Sequence, residues 1–215
     1  MKQLTFIISI IFFVNAAKSQ SVQDLFHSSE TKITWLGIDY SHVKLIGDFT
    51  LFAEWGEYSP SEIKQYYFPA WNDLIYSESD KYDVAEMIRK ENLVFKTDAI
   101  YTINANASIE DMEAKTDPMY SKEDIQTFIK KYDFQVKEGI GVLLVAESLN
   151  KYKEYGKFHF VAIDLSNNTV LLHDIIQGKP GGIGLRNYWA RTVYNVISEI
   201  KSHRYSKWKN ESKHS

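Results

Sequence analysis

The chain has 215 residues, 25 Lys and Arg against 28 Asp and Glu, a formal net charge of −3 and no cysteine. The missing thiol excludes disulfides, thiolate zinc sites, iron–sulfur clusters, a cysteine nucleophile and a lipidated N-terminal cysteine. Mild acidity argues against nucleic-acid binding, which needs a basic surface to displace counterions, and 44 % apolar with 25 % charged residues is a globular composition.

Met1, Lys2 and Gln3 make a short positive start, followed by the apolar run Leu4–Val14 and then small and polar residues. These are the three parts of a secretory leader. The run spans about 16 Å as a helix, half of a bilayer's hydrocarbon core, so it is short for an anchor. Cleavage after Ser19 suits the small pair Ala17 and Ser19; cleavage after Ala17 is the alternative. Removing residues 1–19 takes away Lys2 and Lys18 and no acid. The expected product is therefore more acidic. It is exported (periplasmic or secreted) and has no transmembrane segment. Sequons stand at Asn106, Asn167 and Asn210.

Val22–Ser28 predicts a short helix, and Lys32–Gly47 a strand bent near Ser41. Ser59, Pro60 and Glu62 predict a capped helix start. Ile63, Tyr66, Tyr67, Ala70, Trp71, Leu74 and Ile75 follow at helical spacing, with a kink at Pro69. A second helix is expected from Asp83 to Lys90, then a strand over Leu93–Ala107. Ser108–Tyr120 reads as an acidic polar loop, in which Glu110, Asp111 and Glu113 are solvated surface. Ser121 opens another helix, with Ile125, Phe128, Ile129 and Tyr132 inward.

Gly141–Glu147 is nearly all apolar, as in a central strand covered on both faces. Glu147 at its end is an ordinary edge position, or else buried and perturbed. Phe158–Leu165 and Thr169–Ile176 flank a tight turn at Ser166–Asn168 and predict a hairpin. A glycine-rich loop over residues 178–184 then leads into a helix over Arg186–His203. The tail from residue 206 is expected to be flexible. The order β-α-(α)-β-α-β-β-β-α predicts one α/β (α+β) domain over residues 20–205, a mixed sheet with helices packed on it.

The stretches GIGVLLVAESLNK, FHFVAIDLSNNTVLLHD and GKPGGIGLRNYWARTVYNVISEIK, within residues 139–202, resemble exported proteins of unknown function from Bacteroidota. Those carry an apolar strand, a D-x-x-N/T hairpin and a GGxGxRNYW helix start. More remotely, the strand–hairpin–helix order is similar to the TolB amino-terminal-like and curli-secretion lipoprotein family. That resemblance implies an α/β sandwich and a cell-envelope setting, and it supplies no catalytic residues. Many members of the remote family are lipoproteins, whereas this chain has no cysteine to acylate.

Four groups of residues invite a chemical reading. Gly178, Gly181, Gly182 and Gly184 lie between a strand and a helix, where bare N–H groups and the helix dipole suit an anion. Lys179 and Arg186 add charge, and Asn187 an amide. Tyr188 and Trp189 are types favoured in recognition surfaces. The simpler reading is a loop that needs glycine for its turns. No Walker loop or dinucleotide fingerprint is present.

The histidines are His27, His42, His159, His173, His203 and His214. A three-residue hairpin loop would make His159 and His173 diagonal neighbours able to share a metal, with Asp164 and Asp174 on the other face. A two-residue loop would separate them. Hydrogen-bonded histidines are the plainer reading. Tyr66, Tyr67, Phe68 and Trp71 offer an aromatic platform or, on their helical spacing, core. The basic C-terminal run (Lys201, His203, Arg204, Lys207, Lys209, Lys213, with Tyr205 and Trp208) suits a solvated helix end.

No nucleophile motif survives. Ser148/Lys151 fits S-x-x-K, but so do several unrelated pairs, and no G-x-S-x-G occurs. The leading expectation is a non-enzymatic envelope binding or assembly module using Gly178–Trp189. Its partner would be an envelope protein or a small anionic ligand; no catalytic residue, metal or cofactor is assigned. The alternatives are a hydrolase of envelope polymers using Glu147, His173 or Asp174 with Arg186, and a structural homo-oligomer.

Overall fold

The computed structural model describes residues 19–49 and 58–214; the leader expected over residues 1–19 falls outside them except for Ser19. Two buried strands start the sheet, β1 (Ile33–Asp39) and β2 (Lys44–Ile46). They are the predicted bent strand, broken at residues 40–43. They run end to end along one side of β5 (Ile140–Asn150), which is buried over its whole length. β1 pairs in parallel with the first half of β5 and β2 with the second. Two-residue strands close this edge: β3 (Val94–Phe95) on β1 and β4 (Glu113–Ala114) on β2, both parallel. On the other side of β5 lie β6 (Tyr155–Asp164) and β7 (Thr169–Gly178), both antiparallel. The result is one mixed seven-stranded sheet.

Helices cover both faces. One face carries α1 (Val22–His27), α3 (Phe68–Ser77), α4 (Val84–Met87), α7 (Gly184–Glu199) and α8 (Tyr205–Glu211). They contribute Phe26, Trp71, Met87, Trp189 and Trp208 to the larger core. The other face carries α5 (Asp98–Ala105) and α6 (Lys122–Lys130), which bury Ile100, Ile125 and Ile129 against Val145, Val161 and Ile163. Among the described residues no helix is long and apolar enough to cross a membrane.

Local chemistry explains the starts. Ser21, Ser59 and Ser121 each close a capping box, with Asp24, Glu62 and Asp124. The short α2 (Pro60–Glu62) runs through a π-helical turn, Ile63–Tyr67, into α3. That wider turn precedes Pro69, which has no N–H for the ladder and would crowd an α-helical carbonyl.

Two expectations are corrected. Leu93–Ala107 is not one strand: only Val94 and Phe95 pair, and α5 follows. Ile100 and Asn104 are buried one turn apart, a helical stripe that β-branched content disguises as strand. The tail beyond residue 205 is helical rather than flexible, because Trp208 stacks on Phe160 at 4.6 Å and donates to Asp174 at 3.0 Å. For the aromatic cluster, the core reading from helical spacing holds for Phe68 and Trp71. Phe68 and Trp71 pack on Tyr40 in the core, while Tyr66 is 59 % exposed.

Gly178 shows how closely α7 approaches the sheet. A Cβ there would lie 2.1 Å from the Thr192 carbonyl oxygen. Gly178→Ala should cost about 1–3 kcal/mol or more, because backbone must move to admit the methyl. Gly181→Ala, whose Cβ meets only the Arg191 side chain at 3.7 Å, should be near neutral. Urea unfolding of both variants checks this; equal midpoints would contradict the close approach.

Candidate functional site

The glycine-rich loop folds over the start of α7. Gly182 and Gly184 have φ of 106° and 78°, a region that other side chains avoid. The Gly181 N–H donates to the Tyr188 carbonyl at 3.0 Å, and Asn195 Nδ2 donates to the Lys179 carbonyl at 2.6 Å. The loop is thereby pinned along the helix, beside an open cavity of about 550 Å³. Lys179, Gly181, Gly182 and Asn187 line it, with Lys81 and Arg191 from outside the predicted set.

The cavity also holds one carboxylate, Glu78, which offsets part of the positive charge. Lys81 is 3.2 Å from Glu78. Burial draws the Lys81 ammonium down, but Glu78 and Tyr82 outweigh that and hold its pKa above the ordinary lysine value. Arg191 lies 4.7 Å over the Tyr194 ring. Ile183, at the N-cap of α7, has no side-chain cap to offer the first turn's N–H groups.

The remaining predicted residues divide. Gly178 closes the sheet–helix contact and Gly184 begins the helix. Arg186 sits 3.6 Å from Glu78 and donates to Asn187 at 3.2 Å. Tyr188 accepts from Lys151 at 2.9 Å and donates to Glu154 at 3.3 Å. Trp189 is buried and stacks on Phe49 at 5.4 Å. It is core, not recognition surface.

The opposite face of the sheet holds a second constellation. β5 bulges between Ala146 and Ser148, so Glu147 is an extra residue in the ladder. The bulge leaves Glu147 fully buried in mid-strand, not at an edge. Its carboxylate accepts from Lys157 Nζ at 2.8 Å and from His159 Nε2 at 2.7 Å. His159 Nδ1 then meets His173 Nε2 at 2.7 Å. Since a carboxylate only accepts, His159 carries its proton on Nε2 when neutral, and Nδ1 accepts from His173. The chain leads from a fully buried acid to a half-buried imidazole, an arrangement able to hold and pass a proton.

Hairpin parity explains the histidine pair. Asp164 pairs with Thr169 across a four-residue loop, and a register shift after Ala162 places Val161 opposite His173. His159 and His173 therefore share a face, as a three-residue loop would have arranged. Asp174 lies on the other face, bound to Arg204 and Trp208. The imidazoles face each other, and no group of three or more His, Asp or Glu suited to a metal occurs among the described residues.

Beyond the bulge, Ser148 and Asn150 both donate to Asp117, as do Tyr155 and Lys153. Burial pushes the Asp117 carboxyl up, but these hydrogen bonds outweigh it and bring its pKa down to about 2. Sequence reasoning missed Asp117, which lies in the loop read as solvated surface; Lys157 and His159 at alternate positions on a strand were the available signal for the relay. Compared with known proteins, the chain matches no family model and no curated protein.

Burial and the neighbouring His159 lower the His173 pKa below its ordinary value. The native state therefore binds fewer protons there than the unfolded chain, and stability falls as pH drops below about 6.5. His173→Gln should flatten the stability slope between about pH 7 and pH 5, read by urea midpoints; an unchanged slope would contradict the shift. Glu147→Ala, which strands the Lys157 ammonium and the His159 N–H, should cost about 3–5 kcal/mol. Adding Lys157→Met should restore part of that loss in the same measurement.

Proposed function

We propose that the protein is an exported cell-envelope binding module, and that the cavity under the glycine-rich loop takes a small anionic ligand or an anionic group of a partner. One observation carries this reading: three cations, Lys81, Lys179 and Arg191, converge with Asn187 on one cavity along a 16-residue helix, against a single lining carboxylate, Glu78. The lysine, arginine and amide side chains there supply charge-assisted hydrogen bonds to a negative group. Export rests on the leader pattern of residues 1–19, and the envelope setting on that pattern with the resemblance of residues 139–202.

A hydrolase is the second reading, and the Glu147–His159–His173 chain is what favours it. The residues once grouped with it do not join it: Arg186 belongs to α7 and Asp174 contacts α8, both across the sheet. Activity against envelope polymers that disappears in His173→Gln with the fold intact would favour this reading over binding.

Calorimetric titration of the exported protein with inorganic phosphate and with sulfate tests the binding reading. Saturable binding should weaken at least about tenfold in Lys179→Ala with Arg191→Ala, because hydrogen bonds between charged groups contribute about 1.5–3 kcal/mol each. It should also weaken with added chloride salt. Binding of equal strength in the double variant would overturn the assignment.

A further inference from the structure

Asp164 ends β6 and is fully buried. Its Oδ1 accepts from the Ser166 N–H at 2.9 Å and the Ser166 hydroxyl at 2.7 Å. Its Oδ2 accepts from Asn167 Nδ2 at 3.1 Å, Ser19 Oγ at 3.1 Å and the Gln20 backbone N–H at 3.0 Å. Every one of these donors is neutral. Among the described residues no Lys, Arg or His forms an ion pair with it, whereas buried Glu147 has Lys157. Burial pushes the Asp164 carboxyl up, but these hydrogen bonds outweigh it and keep its pKa below the ordinary value, so the site holds a charged carboxylate with no opposite charge paired to it.

The atom best placed to supply the charge is already there. Gln20 N is an amide nitrogen in the full chain, and it would become an α-amino nitrogen if the chain were cut between Ser19 and Gln20. We infer that Asp164 is the receptor for the new N-terminus: removal of the leader after Ser19 converts the part-buried Gln20 N–H···Asp164 hydrogen bond into an ammonium–carboxylate pair. This rests on the proposed export reading and deepens it by giving the cleavage a structural consequence.

The step balances. Water adds across the Ser19–Gln20 peptide bond; Ser19 leaves with a new carboxylate, and Gln20 keeps the nitrogen as an amine that takes up a proton. Ser19 Oγ is lost as a donor, and the ammonium offers more N–H donors than the amide it replaces. The neighbouring α1 begins with the Ser21–Asp24 capping box, which holds the entering chain in direction. A site of this kind favours the cut chain over the uncut one, so processing and stability become linked.

The charges around that terminus must be counted too. The cavity beside Gln20 is lined by Asp24, Glu30, Lys32, Lys137 and Glu138. Lys32 is paired with Glu138 and Lys137 with Asp133, while Asp24 is engaged by Ser21. The two pairs are exposed and screened by solvent. Asp164, buried and nearest, is the group that sets the field at the α-amine.

The test uses the full chain expressed with its leader, and the exported product. Intact mass and N-terminal sequencing identify the first residue. The rate of α-amine acylation by a small succinimidyl ester is then followed against pH, in the folded protein and in urea. The expected product begins at Gln20. Its α-amine should react at least about tenfold more slowly at pH 7 when folded than in urea, with a midpoint above the ordinary α-amino value of about 8. In Asp164→Asn the midpoint should return to the ordinary value.

A product beginning at Lys18 or Met1 would refute the cleavage reading and the docking with it. A product beginning at Gln20 whose folded and unfolded α-amines titrate alike would leave export standing and overturn the docking alone. Should Asp164→Asn fail to fold, the comparison of native and urea-unfolded wild type decides.

Discussion

One buried carboxylate organises the structure. Glu147 lies within the central strand β5, between the two cores, with no access to water. An ionised group there is tolerable only if its oxygens are both satisfied and its charge is opposed. Lys157 and His159 do this from the adjacent strand β6, and the bulge at Glu147 aims the carboxylate toward them. The same bulge shifts the alternation along β5, so Ser148 and Asn150 turn toward Asp117 while Leu149 stays in the larger core. One extra residue in one strand thus sets a polar line down an otherwise apolar wall.

That wall separates two chemistries. On one side, the sheet ends in the glycine-rich loop and α7, where cations gather around an open cavity. On the other, the Glu147–His159–His173 chain is packed beneath Tyr120 and the helices of the smaller core. The open side has room and charge, and among the described residues no relay like Glu147–His159–His173 lines it. The closed side has a proton path but is largely covered. This division is the physical basis of the proposal that the loop side binds the ligand, while burial and His159 make His173 sensitive to pH.

Much of the architecture was legible in the sequence, for local reasons. Capping boxes at Ser21, Ser59 and Ser121, the continuous apolar run of β5, and the hairpin turn all act through near neighbours. The signal failed where tertiary context decides. Isoleucines in Leu93–Ala107 look like strand until a sheet face claims every third or fourth residue. Residues 206–214 look like solvent-facing tail until Trp208 finds Phe160 and Asp174. Trp189 looks like a recognition residue because its type is favoured in interfaces, but its position on α7 points it into the core. The site itself was half legible. Glycines and flanking charges marked the loop, while Lys81 and Arg191 arrive from a distant loop and from two turns further along α7. The Glu147 relay depends on a β5 bulge and a β7 register shift, and no periodicity in the chain announces either.

The claim that ligand chemistry belongs to the loop side of the sheet is tested most directly by amide hydrogen exchange of the protein with and without saturating inorganic phosphate. Slowed exchange confined to residues 78–82 and 178–195, with β5, β6 and residues 117–124 unchanged, is the result expected. Protection centred instead on residues 117–124 and the His159–His173 hairpin would contradict the account and move the site to the other face.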